Sequence, residues 1–121
     1  MTKIEDFIGK TFIDITGAVQ EEKIIFTEDN GDKYKMYHAR ECCEHVYIDD
    51  IVGDLSDLVG WPILKASEDT NSGRGRGEGS PASETWTFYN LATIKGSVTI
   101  RWYGSSNGCY SESVDIIKLE E

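Results

Sequence analysis

The densest group of chemically capable side chains lies at residues 38–45, His-Ala-Arg-Glu-Cys-Cys-Glu-His. His38, Cys42 and His45 are of types that ligate zinc. Their spacing matches no paired zinc-knuckle pattern, because only Cys109 follows downstream. The expectation is that the cysteines pack at a strand-to-turn junction with the histidines at its rim, and no metal is assigned. A Cys–His nucleophile built from Cys42 or Cys43 with His38 or His45 would need a lowered thiol pKa. The surrounding Glu41, Glu44, Asp49 and Asp50 work the other way, so no catalytic residue and no cofactor are expected. Three cysteines are an odd number, and neighbours bridge only under strain. Free thiols packed as small apolar groups are the default, with at least one unpaired.

Three further groups invite a chemical reading. Asp49, Asp50, Asp54 and Asp57 could gather a cation, but they lack the alternating ligand rhythm of an EF-hand loop. They read instead as an acidic face suited to basic residues of a partner. Residues 73–79, Gly-Arg-Gly-Arg-Gly-Glu-Gly, resemble a phosphate cradle in composition alone. Such a cradle needs a helix N-terminus behind it, and here the flanks are extended chain and Ser-Pro. The segment therefore reads as a linker, with Arg74 and Arg76 available to an anion or a partner. Residues 101–112 form an aromatic and hydroxyl-rich hairpin tip. Arg101, Tyr103, Ser106, Asn107, Tyr110 and Glu112 are candidate partner-binding residues there. Trp102 and Tyr110 could equally be core.

The elements that must position these groups are mostly strands. Thr2 and Glu5 have capping-box spacing, and Ile4, Phe7 and Ile8 share a helical face, so a helix of roughly two turns is predicted before Gly9. Residues 10–16, 23–27 and 33–38 read as strands, the last two joined by a hairpin at Asn30-Gly31. Tyr34 and Met36 share one face of the third strand, and Lys35 and Tyr37 the other. Residues 46–48 suit a short strand; Ile51, Leu55, Leu58 and Val59 sit at near-helical spacing, interrupted by Gly53 and Gly60, for a short helix or helical turn near residue 55; and 61–64 suit an extended run through Pro62. Residues 71–83 read as a flexible Gly/Ser-rich loop. Residues 84–92, 97–103 and 109–119 are predicted as a three-stranded antiparallel meander, with Trp86 and Phe88 on one face of the first and Val98, Ile100 and Trp102 on one face of the second. The fold class expected is α+β, predominantly antiparallel sheet, with a short N-terminal helix and one helical turn, in a single domain spanning 1–121.

Composition narrows the function. Twenty-two acids against twelve bases leave a net charge of −10. Carboxylates repel a phosphate backbone, so direct nucleic-acid binding is not expected, and a basic protein surface is the partner that suits the charge. No apolar run approaches the ~20 residues of a membrane span. Acids interrupt the N-terminal stretch where a signal peptide needs an unbroken apolar run, which predicts a cytoplasmic, unprocessed protein with no membrane partner. Homo-oligomerisation is left open.

Two motif stretches carry a resemblance. The first runs Tyr37-His38…Cys42-Cys43-Glu44…Ile48-Asp49-Asp50-Ile51…Gly53-Asp54…Asp57-Leu58-Val59-Gly60. The second runs Thr85-Trp86-Thr87-Phe88-Tyr89…Lys95-Gly96…Ile100-Arg101-Trp102-Tyr103-Gly104…Ser106-Asn107-Gly108…Tyr110-Ser111-Glu112. Over roughly residues 34–116 the chain resembles a family of small uncharacterised phage and prophage proteins. The resemblance brings no catalytic residues. It implies a context in which small accessory proteins bind and disable host machinery, including CRISPR nucleases and other defence enzymes. The leading expectation is thus a non-catalytic inhibitor of a host factor, acting through an acidic protein-binding surface. A sponge for a nucleotide signal is the alternative, with Trp61, Tyr103 or Tyr110 stacking the base and Arg74, Arg76 or Arg101 holding phosphate. A small enzyme based on the Cys/His cluster ranks third.

Overall fold

The computed structural model describes residues 2–40, 43–73, 83–107 and 111–119. Among the described residues, eight strands form two four-stranded antiparallel sheets. The strands are β1 (Phe12–Thr16), β2 (Lys23–Glu28), β3 (Lys33–Tyr37), β4 (His45–Val52), β5 (Lys65–Gly73), β6 (Ser83–Thr93), β7 (Gly96–Ser106) and β8 (Asp115–Leu119). The first sheet runs β1-β2-β3-β8 and the second β4-β7-β6-β5. Predominantly antiparallel sheet is thus what the chain forms. Among the described residues the two helical elements are single 3-10 turns, Ile4–Phe7 and Leu55–Leu58. The first is shorter than the two turns predicted, and its cap differs: Asp6 takes the Lys3 backbone N–H at 2.9 Å. Ile4 and Phe7 still enter the core, while Ile8 is left exposed.

One core lies between the sheets. Ile24, Phe26, Tyr34, Met36 and Ile116 face Val46, Ile48, Tyr89, Leu91, Val98, Ile100 and Trp102, all buried. Phe7, Phe12, Phe26 and Tyr34 pack as an aromatic cluster with centroids 4.9–6.4 Å apart. The Trp102 indole N–H donates across the core to Met36 Sδ at 3.3 Å. Gly31 closes the β2–β3 hairpin at φ +94°, where other residues are strained.

Two topological expectations change. The chain after residue 111 does not extend the meander: β8 crosses to the first sheet and pairs with β3, Met36 opposite Ile116. The strand beside β6 is instead β5, whose nine residues pair without interruption from Lys65↔Ala92 to Gly73↔Glu84. Of the expected 71–83 loop, residues 71–73 belong to β5 and residue 83 to β6; residues 74–82, with Arg74 and Arg76, lie outside the described residues. No helix among the described residues is long and apolar enough to cross a membrane.

Candidate functional site

The aromatic residues of β6 do not point where the core is. Thr87, Tyr89 and Leu91 face inward, opposite Trp102, Ile100 and Val98 respectively. A threonine opposite the Trp102 indole leaves that large ring its volume. Alternation then sends Trp86 and Phe88 to the outer face of the second sheet, with Arg101 and Tyr103 of β7 and Tyr47 of β4.

Register assembles these side chains into one platform. Tyr103 stands opposite both Tyr47 and Trp86. Its ring lies 5.7 Å from Tyr47, edge-on, and 5.3 Å from Trp86. Phe88 is the cross-strand neighbour of Arg101 on that face. All five side chains are half-buried, so their rings pack sideways and leave one surface to solvent. Carboxylates line the platform. The Tyr103 hydroxyl donates to Glu84 at 2.9 Å, and Asp69 stands opposite Phe88, accepting from the Asn90 amide at 3.3 Å. Burial and the Glu84 carboxylate push the Tyr103 phenol up to about 12. A register shift between Ile48 and Asp50 places Asp49 beside Arg101. Asp49 Oδ2 takes Arg101 Nε at 2.7 Å and Nη2 at 2.6 Å.

The candidate partner-binding residues from the sequence do not share one surface. Arg101, Tyr103 and Asp49 are on the platform. Asp50 accepts from the Ile51 backbone N–H at 2.9 Å. Asp54 caps the second 3-10 turn through the Ser56 backbone N–H, which holds its carboxyl below the usual range. The Asp57 carbonyl accepts from the Thr93 hydroxyl. Asp54 and Asp57 therefore sit by the β6–β7 turn, at the opposite end of β7 from Ser106. Ser106 and Glu112 turn inward and are buried. The Glu112 carboxylate accepts from Thr85 at 2.8 Å, from Ser83 at 3.3 Å and from Ser106. Asn107 is exposed, and Tyr110 lies outside the described residues. Of the aromatics offered for base stacking, Trp61 lies in the β4–β5 connection with the Lys95 ammonium 5.4 Å from its ring, away from Tyr103.

The Cys/His cluster is arranged differently from its sequence reading. His38 is nearly buried and both ring nitrogens are engaged: Nδ1 donates to the Ser113 carbonyl at 2.6 Å, and Nε2 meets Glu44 Oε2 at 2.8 Å. Glu44 is fully buried. Sequence reasoning missed the Ser113 contact because it is 75 residues away from His38, and missed the Glu44 pairing, six residues away, because a charged residue in a polar run reads as exposed. His45 is exposed at the start of β4, and Cys42 lies outside the described residues. Cys43 is disulfide-bonded, which corrects the free-thiol default; its sulfur partner lies outside the described residues. Among the described residues no three His, Cys, Asp or Glu side chains converge as metal ligands do.

Residues 5–116 match the family model described as Domain of unknown function (DUF7448). No curated protein and no solved structure matches the chain.

Proposed function

The chain belongs to the DUF7448 family, and we propose that it is a non-catalytic binding protein whose surface for a basic partner protein is the outer face of the second sheet. The observation that carries this reading is the platform of Tyr47, Tyr103, Trp86 and Phe88, half-exposed on neighbouring strands and set among Asp49, Glu84 and Asp69. Rigid aromatic area with a charged rim is the usual make-up of interface hot spots. Lysine and arginine side chains suit it twice, by stacking on the rings and by pairing with the carboxylates. The net charge of −10 draws such a partner in from a distance, so association slows with added salt. The same charge disfavours a nucleotide ligand, and Arg101, the platform's cation, is already held by Asp49. In this reading the gene is a phage accessory gene, and the target is a host factor such as a CRISPR nuclease or another defence enzyme.

The test is affinity capture from a bacterial lysate with the wild type and a Trp86→Ala/Tyr103→Ala variant. Each captured protein is then identified, purified and titrated. The expected result is a basic protein whose affinity falls at least ~30-fold in the variant, the loss of about 2 kcal/mol that marks a hot spot. Equal affinity for both proteins removes the platform from the mechanism. Tight binding of a cyclic nucleotide to the wild type in a calorimeter, with no protein captured, replaces the reading altogether.

A further inference from the structure

Most sheet edges in this fold are closed. The free side of β1 is bridged by the segment leading to β5, with Gly60 N–H on Phe12 O at 2.8 Å and Ile63 N–H on Lys10 O at 2.9 Å. The free side of β4 is clasped by the β1–β2 turn, Gln20 N–H to Ile48 O at 2.7 Å and Ile48 N–H to Glu21 O at 2.9 Å. The free side of β8 receives the Thr2 N–H at Ile116 O. Among the described residues no backbone hydrogen bond reaches the outer edge of β5. That edge is nine residues long, holds no proline and keeps an unbroken register. The 3-10 turn Ile4–Phe7 packs against β5; beyond it, an edge left open among the described residues is a template for another strand.

What lies beside the edge defines the occupant. Two connected grooves run along the inner face of β5, about 300 and 270 Å³, sharing Glu68 and Val114. Their walls carry hydroxyls of Thr70 and Ser72 and carboxylates of Glu5, Glu68 and Asp115, beside the apolar Ile4, Tyr89, Val114 and Ile116 and the cation Lys3. On the other face, Asp69 and Asn71 continue into the rows of Phe88 and Trp86. Full antiparallel self-pairing of β5 centres on Asp69. It would set the two Asp69 carboxylates directly opposite each other and Glu68 opposite Thr70, in chains already at −10. We infer that β5 accepts an extended basic segment of a partner protein as a fifth strand. Its backbone pairs with the open edge, and alternate lysine or arginine side chains lie in the hydroxyl–carboxylate groove. The inference deepens the reading of a basic protein partner but uses a different surface, so the two can fail separately.

The probe is a synthetic peptide as long as β5 with lysine at alternate positions and threonine or valine between them. It is titrated into the full chain by calorimetry and amide NMR. Saturable binding with slowed amide exchange along residues 65–73 is expected. N-methylation of alternate peptide nitrogens should weaken it at least ~10-fold, the loss of two or three backbone hydrogen bonds. Glu68→Lys/Thr70→Lys, both on the groove side of β5, should weaken it by a similar factor. Of the adjacent variants Thr70→Pro and Asn71→Pro, one places its ring on an outward-facing N–H; that one folds and blocks the peptide. Trp86→Ala/Tyr103→Ala should still protect the β5 amides. Equal binding of the N-methylated peptide would show ionic adhesion alone and overturn the inference. So would absence of binding at ~1 mM peptide, or a dimer that the folded proline variant dissolves.

Discussion

The His38–Glu44 pair makes a quantitative demand on the structure. The two side chains are 5% and 0% exposed and meet at 2.8 Å, while the other imidazole nitrogen holds the Ser113 carbonyl at 2.6 Å. His38→Ala leaves the Glu44 carboxylate buried without this partner, and Glu44→Ala leaves the imidazole in the same state. Breaking a buried pair from one side costs about 3–5 kcal/mol, a large part of the ~5–15 kcal/mol that holds a domain together. In urea, at a slope of about 1.5 kcal/mol per molar, either change should move the midpoint down by ~2–3 M. The double variant should recover part of the summed loss, a coupling of about 1–3 kcal/mol. His38→Ala should also speed amide exchange at Ser113 and Val114, because the imidazole tethers that segment beside the β5 groove. Single losses below ~0.5 kcal/mol that simply add would refute the reasoning and show that the pair carries no weight.

Three further outcomes follow from particular contacts. A methyl group added at Gly104 would stand 2.8 Å from Glu112 Cβ and 3.1 Å from its carbonyl oxygen; Gly104→Ala should cost about 1–3 kcal/mol in urea unfolding. Tyr103 is raised to about 12, above its ordinary value of 10.0, so the fold favours the neutral phenol. Its contribution is complete below pH 10 and is lost as pH rises through 12; Tyr103→Phe should delete one late step from the ultraviolet phenolate titration and flatten the alkaline loss of stability. Three cysteines with Cys43 in a disulfide leave one thiol. A thiol reagent in denaturant should therefore count one per chain before reduction and three after.

Local chemistry made much of the fold legible. Asn30-Gly31 announced its hairpin, and the alternation of Tyr34 and Met36 against Lys35 and Tyr37 gave the faces found in β3. β5 was illegible because its stretch Ser67-Glu68-Asp69-Thr70-Asn71-Ser72 lies on the sheet margin with no apolar face to bury, and so shows no period-two signal. The partner of β8 was missed because alternation reports which face of a strand is buried and says nothing of which strand lies beside it. The platform was half visible. Trp86 and Phe88 were placed together on one face, yet large aromatics read as core until Thr87 is seen opposite Trp102. Four aspartates close in sequence read as one acidic surface. A register shift at Asp49, a cap at Asp54 and a turn contact at Asp57 give them separate structural duties.

The central claim is that recognition occurs at the aromatic outer face of the second sheet. The most direct test is side-chain NMR of the labelled protein during titration with its captured basic partner. The Tyr47, Trp86, Phe88 and Tyr103 ring resonances should shift together and saturate at one equivalent, with the core ring of Trp102 unmoved. Shifts confined to the β6–β7 turn near Asp54 and Asp57, with the four platform rings silent, would contradict the account.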